Sequence, residues 1–360
     1  MTRRSALLAI TAWAGLVVLA GILSSSLLSV AWRQAFVAPQ YHGGYPFLRW
    51  DARHFIDIAQ DGYHVPALAA FFPLFPGVVR LIAKGVSVPY TVAAVAAAAL
   101  SFGASWWFWM RLDVVRKSLA PPWNIFAILT LPTAFIFLAP YTESLFWLET
   151  VALLWALQQR RYGLASACVA AASLTRPYGI LLLLPLIATQ RREHNTDSHR
   201  WLLTGVLATL PVIAWCILVS LSLERPFAPL AAELNGFHLA HPAFPLAEMV
   251  QNLTFWRAEN PAFAFLAVNQ LLGLVAAVVG LWGVWRTWPR VWFITCLLLV
   301  MVYFGHGTLN SSNRFVFSTV PLVVGLWTVV TPRWRWPLAL FGFALLVINA
   351  AFFARWYFVV

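Results

Sequence analysis

Charge is what this chain has least of. Asp, Glu, Lys and Arg together make up 10% of 360 residues, with 12 acidic against 24 basic. A soluble globular chain ordinarily carries about 25% charged residues, so a free-standing soluble enzyme is excluded. Cysteine is equally scarce. Cys168, Cys216 and Cys296 each sit inside an apolar run, which excludes a disulfide framework and offers no metal-ligand spacing. No His/Cys cluster has ligand spacing either, and only Asp57 and Asp61 are placed to graze a hard cation. Neither a metal nor any other cofactor is expected. The basic residues are scattered between apolar runs, with no patch that would suit nucleic acid; membrane orientation and anionic headgroups explain them better. No interval between those runs is long enough for an independent soluble domain. No internal repeat is visible, and the one polar linker is the turn at 191–200.

What the chain has in excess is apolar surface. Hydrophobic residues account for 61% of it, and 20 residues are Trp. This is the composition of an all-α polytopic membrane protein. Apolar runs near 6–30, 88–110, 123–139, 144–158, 162–175, 178–190, 201–222, 262–285, 291–305, 315–330 and 337–355 predict about eleven transmembrane helices, within a range of 10–12. The first run is too long for a signal-peptide core and reads as a retained helix. The segment 71–83 contains Pro73, Pro76 and Arg80, which favour a juxtamembrane helix over a crossing.

Counting basic residues in the short loops then orients the chain. Loops carrying Arg3, Arg4, Arg111, Arg116, Lys117, Arg160, Arg161, Arg191, Arg192, Arg200, Arg286, Arg290, Arg333 and Arg335 hold 14 of the 24 cations and are expected to face the cytoplasm, as is the N-terminus. The opposite face collects a first extracytoplasmic loop at about 31–87, Tyr141-Thr142-Glu143, Thr175-Arg176-Pro177, a loop at 223–261 and His306–Arg314. All the unusual polar residues land on one side, which predicts a single extracytoplasmic active site. The chain divides on this reading into a catalytic membrane module over 1–222 and, over 223–360, a further loop with C-terminal helices. Trp residues at span ends fit interfacial belts.

The densest polar stretch runs from Arg49 to Tyr63, with three carboxylates, one histidine and two arginines. Ionisable groups are seldom kept near a bilayer without a use. Helical periodicity sets Asp51, His54, Phe55 and Ile58 near one face, with the apolar stripe expected to press onto the membrane surface. The simplest alternatives are structural. Asp51 would suit a helix N-cap, Arg53 and Asp57 an i,i+4 surface pair, and Asp61-Gly62 a helix end. Glu143 suits substrate binding or pairing with a structural arginine, and Glu149 suits bundle packing.

Trp50-Asp51, His54-Phe55, Ile58-Ala59, Gly62-Tyr63 and Ala70–Pro76 resemble the PIG-V family, the GPI mannosyltransferase II enzymes and their bacterial relatives of the GT-C class. Ala139–Phe146, Ala172–Gly179 and Asn313-Arg314-Phe315 are similar as well; the likeness is dense over 49–180 and sparse afterwards. It implies a GT-C-type bundle with juxtamembrane helices in the first loop, and a mannose donor carried on polyprenyl phosphate. It also implies an essential aspartate at Asp51.

The chemistry follows without the family. In an inverting displacement a carboxylate accepts the proton of the attacking acceptor hydroxyl, and Asp51 is the candidate. Phosphate leaves without a second carboxylate acid, but its developing charge needs cations. Arg176, Arg314 and His54 are the candidates, with Trp50, Glu143 and Tyr141 as further substrate-binding residues. The acceptor is a lipid, glycan or protein hydroxyl. The resemblance leaves the sugar open among polyprenyl-phosphate donors, and a bacterial plasma membrane suits the Arg- and Ala-rich composition. A lipid or solute transporter would instead show paired repeats and broken helices at the midplane, and a non-catalytic scaffold would have little use for the polar cluster.

Overall fold

The computed structural model describes residues 3–28, 44–193, 198–236, 261–305, 309 and 311–357. The described residues form sixteen α-helices and no strand. In chain order these are α1 Arg3–Leu27, α2 Ala52–Asp61, α3 Leu74–Val86, α4 Tyr90–Trp109, α5 Asp113–Ser118, α6 Trp123–Leu129, α7 Thr142–Gln158 and α8 Tyr162–Thr175. They continue with α9 Leu183–Glu193, α10 Ser198–Ser222, α11 Ala228–Gly236, α12 Pro261–Thr287, α13 Arg290–Gly305, α14 Ser312–Phe317, α15 Val320–Val329 and α16 Pro332–Ala354. Within α1, α4, α10, α12 and α16 lie the five stretches long and apolar enough to cross a membrane, and α8, α13 and α15 are shorter apolar helices. The protein is an all-α polytopic membrane protein.

Several expected crossings are interrupted. The run at 123–139 is the short α6, a turn at Pro132 and a 3-10 segment Ala134–Phe137. The run at 178–190 begins as a 3-10 segment Pro177–Leu182 before α9, and the run at 315–330 is split between α14 and α15, with Pro321 in the first turn of α15. Proline supplies no amide donor and ends a helix, a signal that apolar length alone hides. Broken backbone at membrane depth survives only where protein surrounds it. Residues 133–147 are accordingly buried throughout.

The first loop folds into the protein. Helix α3 has 13 residues and reaches about 20 Å at 1.5 Å per residue, short of the hydrocarbon core. It packs with α2 against α4, around Phe55, Ile56, Phe75, Val79, Ala94 and Ala97. The expected membrane-facing stripe of α2 is thus corrected: Phe55 meets Phe71, Phe75 and Tyr141 at ring-centroid distances of 5.2, 5.3 and 6.4 Å. Burying that stripe against aromatic partners gains shape-specific packing that lipid cannot offer. Helix α11 closes the same region, with Ala228 and Ala232 packed against Ala69 and Val219.

Close helix approach sets the C-terminal half. Helix α12 lies against α14 and α15 through small residues, as membrane helices commonly do. A Cβ on Gly273 would lie 2.8 Å from Asn313 Cα, and one on Gly280 would lie 2.8 Å from the Leu322 carbonyl oxygen. Gly273→Ala must therefore push α14 away, with an expected loss of about 1–3 kcal/mol. Gly163→Ala, which meets nothing within 4 Å, serves as the comparison. Thermal unfolding in detergent checks both: a clear drop for Gly273→Ala and little change for Gly163→Ala.

Candidate active site

Four segments bring their charges to one junction. Asp51 precedes α2, Glu143 lies in the first turn of α7, Arg176 follows the last residue of α8, and Arg314 sits in α14. Arg314 Nη2 donates to Asp51 Oδ2 at 2.7 Å, and its Nε lies 3.3 Å from Glu143 Oε1. Arg176 Nη2 lies 2.6 Å from the same Glu143 oxygen. Arg176 also donates from Nε to Thr142 Oγ1 at 2.8 Å and from Nη1 to the Tyr178 hydroxyl, while the Phe315 ring lies 4.7 Å from its guanidinium carbon. Two carboxylates and two guanidiniums give the junction no net formal charge. That balance makes its burial tolerable, because removing one partner strands an ion.

Exposure separates the members. The Asp51 side chain keeps 29% of its surface and the Arg314 side chain 9%, while Glu143 keeps none. Glu143 has no surface for substrate; it is a bridge between two arginines. Asp51 holds the position before α2 without a side-chain cap bond, since its carboxylate is turned to Arg314.

The backbone of Asp51 is fixed from behind. Its amide donates to the Tyr141 hydroxyl at 3.1 Å, and that hydroxyl donates to the Arg49 carbonyl at 3.0 Å. Tyr141 is buried, its hydroxyl is committed on both sides, and the Arg314 guanidinium stacks 4.9 Å from its ring centre. Tyr141, expected as a substrate-binding residue, holds the backbone at Arg49 and Asp51 through its hydroxyl. Trp50 has φ 52°, in the left-handed region that is costly for a bulky residue. Its ring meets Trp356 at 5.8 Å, and Arg49 Nε donates to the Ala354 carbonyl at 3.0 Å. The end of α16 thus holds the kink that presents Asp51.

His54 packs its ring on Phe71 at 4.7 Å. Burial lowers its proton affinity below the ordinary imidazole value, with Arg53 adding to the effect and the Asp51 and Asp57 carboxylates opposing it. Burial thus favours the neutral imidazole at His54. Glu149 accepts from the Thr175 hydroxyl at 2.7 Å, a tie between α7 and α8. Gly62, at φ 78°, ends α2 as the Asp61-Gly62 pair suggests. Among the described residues no three His, Cys, Asp or Glu side chains group as metal ligands. His306 and residues 237–260 of the second loop lie outside the described residues.

Arg49, Thr142 and Tyr178, which the sequence places in the polar stretches without a site role, and Trp356 and Glu233, which no sequence pattern singles out, complete the surroundings. Glu233 lies on α11 beside Ala232, half-buried. Burial, with the Asp51 carboxylate as a smaller cause, pushes its carboxyl up to about 7. A lone carboxylate in a mostly apolar loop helix was the signal available for it.

The family description "Mannosyltransferase (PIG-V)" matches residues 23–228, more than half of the chain. The chain belongs to the PIG-V mannosyltransferase family. Proteins named GPI mannosyltransferase 2 from two strains of Cryptococcus neoformans var. neoformans serotype D are each 33% identical over 153 residues. Those matches cover 39% of this chain and 36% of each relative, so the chain spans about a third of their length. No solved structure matches. The PIG-V match takes in Asp51, Glu143 and Arg176 and stops before Arg314.

Glu143→Gln leaves two guanidiniums with one carboxylate, and the expected cost is about 3–5 kcal/mol, read as a lowered unfolding midpoint. A raised carboxyl at Glu233 contributes stability at low pH that is lost as pH rises from 4.5 through about 7. Glu233→Gln should remove that slope, so melting curves of the two proteins taken across this window should converge at its acid end and separate at its neutral end.

Proposed function

We propose that this PIG-V family member transfers mannose from polyprenyl phosphate mannose to a lipid, glycan or protein hydroxyl, with inversion, on the extracytoplasmic face of a bacterial plasma membrane. The observation that carries the reading is the Asp51 carboxylate, partly exposed at the start of a first-loop helix and 2.7 Å from the guanidinium of Arg314. A carboxylate able to act as base and a guanidinium able to receive an anion belong to one site, and the displacement uses them on opposite faces of the anomeric carbon.

The step balances simply. The acceptor oxygen forms a bond to the anomeric carbon as the bond from that carbon to the phosphate oxygen breaks. Asp51 takes the hydroxyl proton, and the phosphate leaves with its electron pair toward Arg314. Arg176 stands behind Arg314, and through Glu143 both guanidiniums are held in place. Trp50 and Tyr141 act through the backbone of Asp51, and His54 in its neutral form offers a hydrogen bond. The donor carries its own activation, so no further cofactor enters the scheme. The distribution of Lys and Arg among the short loops supports the cytoplasmic N-terminus and the outer site.

Asp51→Asn should keep its fold and lower transfer by about 10²–10⁴-fold. The measurement is incorporation of labelled mannose from polyprenyl phosphate mannose into membrane lipids and proteins at matched expression. Equal incorporation by the variant would remove Asp51 from the mechanism. Incorporation of a different polyprenyl-phosphate sugar, with mannose inert, would reassign the donor.

A further inference from the structure

Arg314 is shared between two carboxylates of unequal freedom. Glu143 is fully buried and also holds Arg176, whereas the Asp51 side chain is partly open. An incoming anion that needs Arg314 can therefore displace Asp51 far more easily than Glu143. Arginine binds phosphate oxygens by the same N–H edge that it offers a carboxylate, and the Nη2 of Arg314 is already given to Asp51.

Resting on the proposed reading of the site, we infer that the donor phosphate and Asp51 compete for Arg314, so that donor binding releases the base. The backbone permits this. The Asp51 amide stays on the Tyr141 hydroxyl at 3.1 Å, so the side chain alone turns from Arg314 toward the acceptor hydroxyl. Arg314 keeps its hold on Glu143 and passes its other edge to the phosphate. After the sugar–phosphate bond breaks, the departing phosphate vacates Arg314, Asp51 yields its proton to solvent, and the ion pair closes again. The order of events is donor first, base second.

Undecaprenyl phosphate binding to the purified full-length protein in lipid nanodiscs tests the competition without relying on turnover. Asp51→Asn should bind the lipid phosphate about tenfold more tightly than wild type, the scale of one partly exposed ion pair. Asp51→Ala carries the same comparison should Asp51→Asn fail to accumulate. Asp61→Asn removes a charge from the exposed end of the same helix and should match wild type. Equal or weaker binding by the Asp51 variants, with wild type binding normally, overturns the competition and leaves the proposed function standing. A tightening shared by Asp61→Asn also overturns it, since net charge alone would then explain the gain. Absence of binding in every protein overturns the proposed function itself, and the competition with it.

Discussion

Two guanidiniums and two carboxylates share one buried junction, and the positions of four distant segments are tied to it. Each ion taken from water costs several kcal/mol even after relaxation; as a neutral set of four they recover that cost through contacts of 2.6, 2.7 and 3.3 Å. The set is complete only when the first loop, α7, the end of α8 and α14 are all in place. Any one missing leaves an unbalanced charge among apolar side chains. The junction therefore acts as a condition on the tertiary structure as well as the proposed chemical site.

Helix ends supply the charges at this junction, and the breaks in the bundle explain why. Glu143 lies at the N-terminus of α7 and Arg176 just past the C-terminus of α8, where the helix dipole favours an acid and a base respectively. Arg176 reaches its place because Pro177 forbids α8 from continuing as a regular helix. Arg314 reaches its place on a helix of six residues that follows Ser311, itself at φ 72°. Interrupted segments cost backbone regularity, and burial within protein offsets that cost. In return they deliver side chains inward at points that a continuous span would turn toward lipid.

Much of this was legible in the residues and some was not. Composition alone fixes the all-α membrane class, and isolated polar residues mark Asp51, Glu143, Arg176 and Arg314 as candidates. Their mutual pairing is tertiary information: Asp51 and Arg314 are 263 positions apart, and no local pattern links them. The break at Pro132 is in the sequence but is masked by uninterrupted hydrophobicity. Tyr141 looks like a ligand residue because its neighbours are polar; only the pair of hydrogen bonds to Arg49 and Asp51 shows its hydroxyl to be spent. The roles of Arg49 and Trp356 depend on the C-terminal end of α16 meeting the first loop, which no spacing rule predicts.

The part of the chain that matches the PIG-V description carries Asp51, Glu143 and Arg176, two carboxylates to one guanidinium. Those three alone have one negative charge in excess. Arg314 corrects the balance from outside the matched region, and its place depends on α12, which closes on α14 at Gly273. The C-terminal helices thus serve the site in a limited and physical sense: they insert one cation at a fixed depth. Of the two anions that hold this cation, Glu143 is fully buried and Asp51 is partly exposed. On the proposed reading, stability without substrate and receptivity to an anionic donor arise from the same residue, with Glu143 setting the first and Asp51 the second.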